Sequence, residues 1–255
     1  MSADAAPLLS LRGVCKAYGA VVALSDIDLD IHGGEILAIC GDNGAGKSTL
    51  IRLISGADMP SAGRLAMRGR PIAFASPRAA LAAGVSTIYQ DLALAPRLSI
   101  AANVFMGAEL TRGLPVPGLR VLDHRRMAAE ARRYLAQLGI AIADTTRPVE
   151  GLSGGQRQAV AIARALRWNA ELVVMDEPTA ALGVRESALV LDLVRRLKSD
   201  GRTVLLVSHN MRDVASLADR VVILGGGRKR LDRPAAGLVA EDLAALIMRA
   251  PVETG

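Results

Sequence analysis

The sequence predicts an α/β fold: a mostly parallel sheet covered by helices, preceded by an antiparallel β subdomain and interrupted by an inserted helical subdomain. Three observations lead there. Short aliphatic runs of strand length alternate with helix-period segments in the first and last thirds of the 255-residue chain, the pattern of a parallel sheet with helical crossovers. Between them, residues 91–167 lose the strand-length runs and read as helix. Hydrophobic residues make up 51% of the chain but aromatics only 2%. The core is therefore built from Ala, Val, Leu and Ile, which suits a sheet buried on both faces.

Taken in order, residues 8–14 and 21–31 read as strands, and His32-Gly33-Gly34 turns the chain into a strand at 35–40. Residues 47–55 form a helix ended by Gly56. A loop at 58–63 leads to a strand at 64–67. Ser76-Pro77 starts the next helix, with a capping hydroxyl followed by proline at the first helical position, and Gly84 stops it. A strand follows at 85–89. In the middle region, 107–118 holds several Pro and Gly residues and reads as a surface loop, while 123–138 and 156–168 read as helices. Strands at 172–175, 203–207 and 220–224 then alternate with helices at 184–198 and 210–217. Arg228-Lys229-Arg230 reads as a solvated turn, and a last helix covers 240–248. Residues 1–255 are read as one domain, with 8–90 and 168–255 as the α/β core and 91–167 as the helical subdomain.

Composition narrows the setting. No apolar run approaches the roughly 20 residues needed to span a bilayer, and residues 1–7 carry no basic segment followed by an apolar one, so a cytoplasmic protein without a secretory signal is expected. The formal net charge is +6, but the basic residues are scattered along helices. They form no basic stripe with stacking aromatics, so nucleic acid is not an expected partner; an anionic membrane surface suits the excess charge better. The two cysteines, Cys15 and Cys40, have neither disulfide-framework nor zinc-site spacing. Cys40 reads as a small buried hydrophobe.

The residues Gly41-Asp42-Asn43-Gly44-Ala45-Gly46-Lys47-Ser48 match the phosphate-loop pattern G-x-x-x-x-G-K-[ST] at every fixed position. The glycines let backbone N–H groups close around phosphates, and the helix that begins at Lys47 adds its positive end. Residues 41–49, through Thr49, are the expected nucleotide cradle. Lys47 is expected to reach the β- and γ-phosphates, and the Ser48 hydroxyl to ligate Mg²⁺. Asp176-Glu177 closes the aliphatic strand at 172–175. Asp176 is the candidate magnesium ligand and Glu177 the candidate general base for an attacking water.

Further along, Leu152-Ser153-Gly154-Gly155-Gln156 opens a helix. Ser153 can cap it, and the free N–H groups with the helix dipole favour an anion. Phosphate loop, this second glycine motif and the Asp176-Glu177 strand, in that order, resemble the ATP-binding subunit of an ABC transporter. The resemblance covers nearly the whole chain and implies a P-loop NTPase core with ATP and Mg²⁺ as cofactors. It implies a catalytic switch histidine at His209 and a catalytic, magnesium-sensing glutamine at Gln90. It also implies an adenine-stacking aromatic at Tyr18. Ser153, Gly154, Gly155 and Gln156 are implied to bind the ATP held by a partner's phosphate loop in a head-to-tail homodimer, which closes on ATP and opens after hydrolysis. His32 and His124 match no such place.

The chain departs from the family after Pro178-Thr179, where relatives carry Ser-Ala-Leu-Asp and this chain has Ala180-Ala181-Leu182-Gly183. The missing Asp normally joins the subunits and helps place the water, so coupling between the two sites is in doubt. Residues 84–94 and 98–107 are similar to the subfamily that imports monosaccharides such as ribose, xylose and fructose. The resemblance therefore implies integral membrane permease subunits as partners, an extracytoplasmic solute-binding protein indirectly, and a place on the inner face of the cell membrane. Export, amino-acid import, a non-transport ABC role and a regulatory subunit that only binds ATP remain alternatives. The long coiled coils, zinc insertions and duplicated cassettes of the non-transport members have no counterpart here, and intact Lys47, Glu177 and His209 argue against the regulatory role.

Overall fold

Fully buried aliphatic strands organise the molecule. The computed structural model describes residues 6–113 and 120–249. A six-stranded sheet runs in the order β12-β11-β3-β10-β9-β6, formed by β3 (Ile36–Cys40), β6 (Val85–Ile88), β9 (Leu172–Asp176), β10 (Thr203–Val207), β11 (Arg220–Gly225) and β12 (Arg228–Pro234). All neighbouring strands are parallel except β11 and β12. Every residue of β3 and β10 is buried, as continuous aliphatic runs in a two-sided parallel sheet require.

Alternate residues of these strands serve opposite layers. Ile36, Val173, Met175, Val204 and Leu206 join a core with α3 (Ile100–Phe105), α4 (His124–Gln137), α5 (Gly154–Arg167) and α6 (Val184–Ser199). Leu37, Ile39, Val174, Leu205 and Val207 pack instead with α1 (Lys47–Ile54) and a four-stranded antiparallel sheet. That sheet has the order β2-β1-β4-β5, from β1 (Leu9–Tyr18), β2 (Val21–Ile31), β4 (Ala62–Met67) and β5 (Arg70–Ile72). The mixed burial of β2 reflects one packed and one wet face. An ion network ties the two sheets together: Arg220 pairs with Glu35 at 2.9 Å and Asp232 at 2.9 Å, and also donates to the Asp30 carbonyl. Glu35 is buried, and desolvation raises its pKa against the pull of the His32 N–H and Arg220.

The expected cap at Ser76 is present: it accepts from the Ala79 N–H at the start of α2 (Pro77–Ala82). Asp123, read from the sequence as the first helical residue, instead caps α4 by accepting from the Arg126 N–H. Three features differ from expectation. Arg228-Lys229-Arg230 opens β12 and is not a turn; Gly226 and Gly227, both at positive φ, make the turn before it. The middle region contains a hairpin of β7 (Thr111–Gly113), within the predicted surface loop, and β8 (Arg120–Leu122), just beyond it; residues 114–118 of that loop lie outside the described residues. β5 is an additional edge strand. The chain closes with α7 (Met211–Leu217) and α8 (Ala240–Arg249), which pack beside β11.

Candidate functional site

Strand register assembles the site. Val207 pairs with Ile39 on one side and Asp176 on the other, and Ile88 pairs with Met175. The carboxyl ends of β6, β9, β10 and β3 therefore share one sheet edge. Gln90, Asp176-Glu177, His209 and the phosphate loop follow those ends. Crevices at the carboxyl edge of parallel sheets are where such folds bind ligands.

The phosphate loop needs its glycines for space as well as freedom. At Gly41 (φ +145°) a Cβ would lie 2.2 Å from the Leu224 carbonyl oxygen, and at Gly46 (φ +99°) 2.6 Å from Leu24 Cδ2. Gly46 is the N-cap of α1 and supplies no side-chain cap, so the first-turn N–H groups face outward for an acceptor. Lys47 Nζ donates to the carbonyls of Gly41 at 2.7 Å and Asp42 at 2.8 Å, arching over the loop. Asp42, Asn43, Gly44 and Ser48 are exposed, while Ala45 is buried against the core and Thr49 is half-buried. Desolvation pushes the thiol of neighbouring Cys40 up to about 12. It stays protonated and unreactive at neutral pH.

Glu177 sits at φ 50°, an uncommon conformation for a residue other than glycine. Its N–H donates to the Val207 carbonyl at 2.9 Å, which locks it against β10. Glu177 Oε2 lies 2.8 Å from His209 Nδ1 and accepts the His209 backbone N–H at 3.4 Å. His209 is otherwise exposed, while Glu177 is largely covered. Burial, and next the charge of Glu177, raise the pKa of Asp176, with Lys47 opposing. Gln90 and Asp176 line one open cleft of about 630 Å³ with Tyr89, Asp91 and Ala93.

No cluster of three or more His, Cys, Asp or Glu side chains that could hold a metal occurs among the described residues. The available donors are the Ser48 hydroxyl, the Gln90 amide oxygen and the Asp176 carboxylate. This small all-oxygen set fits Mg²⁺, which keeps waters and takes substrate phosphate oxygens as further ligands.

The second glycine motif forms a full capping box. Ser153 Oγ accepts the Gln156 N–H at 3.3 Å, and Gln156 Oε1 accepts the Ser153 N–H at 3.2 Å. A Cβ on Gly154 would meet Leu182 Cδ2 at 2.5 Å, and one on Gly155 would meet Leu189 Cδ2 at 3.0 Å. The motif thus packs against α6 and the turn before it. No hydrogen bond joins residues 153–156 to residues 41–49 among the described residues. Two partners escaped sequence reasoning. Glu186 accepts from the backbone N–H of Gly154 at 2.9 Å and of Gly183 at 3.4 Å; its only signal was a capping-box spacing with Gly183 at the cap. Asp58 accepts the hydroxyl of half-exposed Tyr18, across a separation in sequence that no local pattern reveals.

A sequence profile of the ABC transporter family matches residues 24–180, from β2 through the phosphate loop, the second glycine motif and the strand-end carboxylates. The chain belongs to this family. It is an ATP-binding cassette, the ATP-hydrolysing part of such a transporter. It is 49% identical over 225 residues to the fructose import ATP-binding protein FrcA of Rhizobium meliloti, covering 88% of this chain and 86% of that protein. It is 46% identical over 221 residues to the xylose/arabinose import ATP-binding protein XylG of Sulfolobus acidocaldarius, covering 87% and 86%. In fold it is similar to the dimeric post-hydrolysis structure of the cassette MJ0796 bound to ADP and Pi, with a TM-score of 0.72, 26% identity, and coverage of 90% of this chain and 100% of that one. Among the described residues no helix is long and apolar enough to cross a membrane.

Proposed function

We propose that this cassette hydrolyses ATP to drive a membrane permease that imports a monosaccharide. The observation that carries the reading is the shared sheet edge. There a lysine-bearing phosphate loop, the half-buried carboxylate of Asp176 and a Glu177–His209 pair at 2.8 Å follow aligned strand ends. Identity to FrcA and XylG supports the sugar.

The chain's own groups divide the work. The backbone of residues 41–49 and the positive end of α1 cradle the phosphates, with Lys47 turning from the loop carbonyls to the β- and γ-phosphates. Ser48, Asp176 and Gln90 would hold Mg²⁺, which supplies charge neutralisation at the phosphoryl oxygens. Glu177 Oε accepts the proton of the attacking water, and His209, oriented by its contact with Glu177, fixes that water and reads the γ-phosphate. Tyr18 stacks on the base. Ser153, Gly154, Gly155 and Gln156 engage the ATP of a second copy in a head-to-tail assembly; the dimeric state of the MJ0796 cassette lends support to a pair. Residues 8–90 and 168–255 act as the core and 91–167 as the inserted helical subdomain. The region around Gln90 meets the permease at the inner face of the membrane, and an extracytoplasmic binding protein delivers the solute.

Reconstitution tests this reading. In proteoliposomes containing the cassette, its copurified permease and the solute-binding protein, fructose, xylose or ribose is expected to stimulate ATP hydrolysis. Stimulation by amino acids with no response to any monosaccharide would overturn the sugar assignment.

A further inference from the structure

Tyr18 ends β1 at an exposed lip of the antiparallel sheet, yet its ring is tethered. Tyr18 Oη donates to Asp58 Oδ2 at 2.7 Å. The other carboxylate oxygen, Oδ1, accepts Lys16 Nζ at 2.5 Å and the Met59 N–H at 2.8 Å. Lys16 Nζ also donates to the Met59 carbonyl at 2.8 Å and stands 4.9 Å from the centroid of the Tyr18 ring. One face of the ring is thereby capped by a cation, a favourable contact with its π-system. The Lys16 and Asp58 side chains are only 13% and 19% exposed, so this is no loose surface pair.

The location of Asp58 gives the tether its meaning. Asp58 follows α1, and its N–H donates to the Arg52 carbonyl in the last turn of that helix. The same helix begins in the phosphate loop. Asp58 therefore joins the tyrosine platform to the element that holds the phosphates, through a helix of eight residues. The bonds from Lys16 and Tyr18 hold the Asp58 carboxyl down at about 2, so it remains an ionised acceptor at neutral pH.

We propose that Asp58 is a positioning residue for the nucleobase. By holding the Tyr18 hydroxyl and the Lys16 ammonium together, it sets the ring with one face closed and the other open to a purine, in fixed relation to the phosphate loop. The inference rests on Tyr18 being the base-stacking residue. Stacking on an aromatic tolerates every base, so the effect of Asp58 falls on base-bearing ligands as a class, and ligands made of phosphate alone are indifferent to it.

Calorimetry with ADP and with inorganic pyrophosphate, both in the presence of Mg²⁺, separates these parts without turnover. Asp58→Ala is expected to weaken ADP binding about threefold to tenfold and to leave pyrophosphate within twofold. Tyr18→Ala is expected to weaken ADP roughly 5- to 100-fold, the range of one base–aromatic stack, again sparing pyrophosphate. Combining Tyr18→Phe with Asp58→Ala should cost ADP binding no more than Asp58→Ala alone, since both cut one tether. Equal losses for ADP and pyrophosphate in Asp58→Ala would mean a merely structural role and overturn the proposal. Unchanged ADP binding in Asp58→Ala, with a loss in Tyr18→Ala, would overturn the positioning claim and leave the stacking role standing. Unchanged ADP binding in Tyr18→Ala would overturn both.

Discussion

Glu177→Gln is expected to lower ATP turnover by about 10²- to 10⁴-fold, the usual contribution of a positioned general base, while ATP binding persists. Glutamine keeps the shape of the side chain and an oxygen able to accept the His209 backbone N–H, now received at 3.4 Å. What it loses is the capacity to take a proton. The left-handed backbone at Glu177 and its lock onto Val207 involve main-chain atoms and are unaffected. With hydrolysis blocked, the ATP-bound pair should persist, and gel filtration with ATP and Mg²⁺ should show a stable dimer. Phosphate release within tenfold of the unsubstituted protein, or a chain that stays monomeric with ATP, would count against this role.

Lys47→Ala is expected to weaken ATP binding about 10- to 100-fold, as the loss of charge-assisted hydrogen bonds to phosphate implies. In the structure the ammonium bonds the carbonyls of Gly41 and Asp42, so it is preorganised at the mouth of the loop. The substitution removes those two bonds as well, and a thermal melt would report any cost to the loop itself. Calorimetry that finds unchanged ATP affinity would contradict the phosphate-loop assignment.

Where the chain carries a strong local signal, the sequence was readable. The aliphatic runs of β3, β9 and β10 have strand length and lie buried on both faces, and Ser76 and Ser153 cap helices where capping residues precede helical spacing. The glycine loop before α1 stood out because positive φ and close contacts at Gly41 and Gly46 leave no room for a side chain at fixed spacings. Features that depend on distant partners were not. Buried Asn103 holds the preceding turn with bonds to Ala95, Leu98 and Ser99, yet in sequence it is one polar residue in a helix. β5, β7 and β8 are three residues each, too short for alternation to show. The basic run at Arg228 was misread because charge suggests a turn, whereas pairing with β11 makes it an edge strand, a position where charged residues discourage further pairing. Glu186 and Asp58 act through contacts to residues 32 and 40 positions away, which only the folded chain brings together.

The central claim is that two copies complete each other's ATP site, and a mixing experiment tests it most directly. Lys47→Ala is expected to disable the proposed phosphate loop. Ser153→Asp keeps an N-cap acceptor on α5 but sets a negative charge against the partner's phosphates. Each variant alone should be nearly inactive. In an equal mixture, mixed dimers pair an intact phosphate loop with an intact second glycine motif, and hydrolysis is expected to recover to roughly a quarter of the unsubstituted level, since half of randomly formed dimers are mixed and each has one sound site of two. If cross-linking shows mixed dimers in abundance while activity stays at the level of the separate variants, each chain uses its own motif and the shared-site account is contradicted.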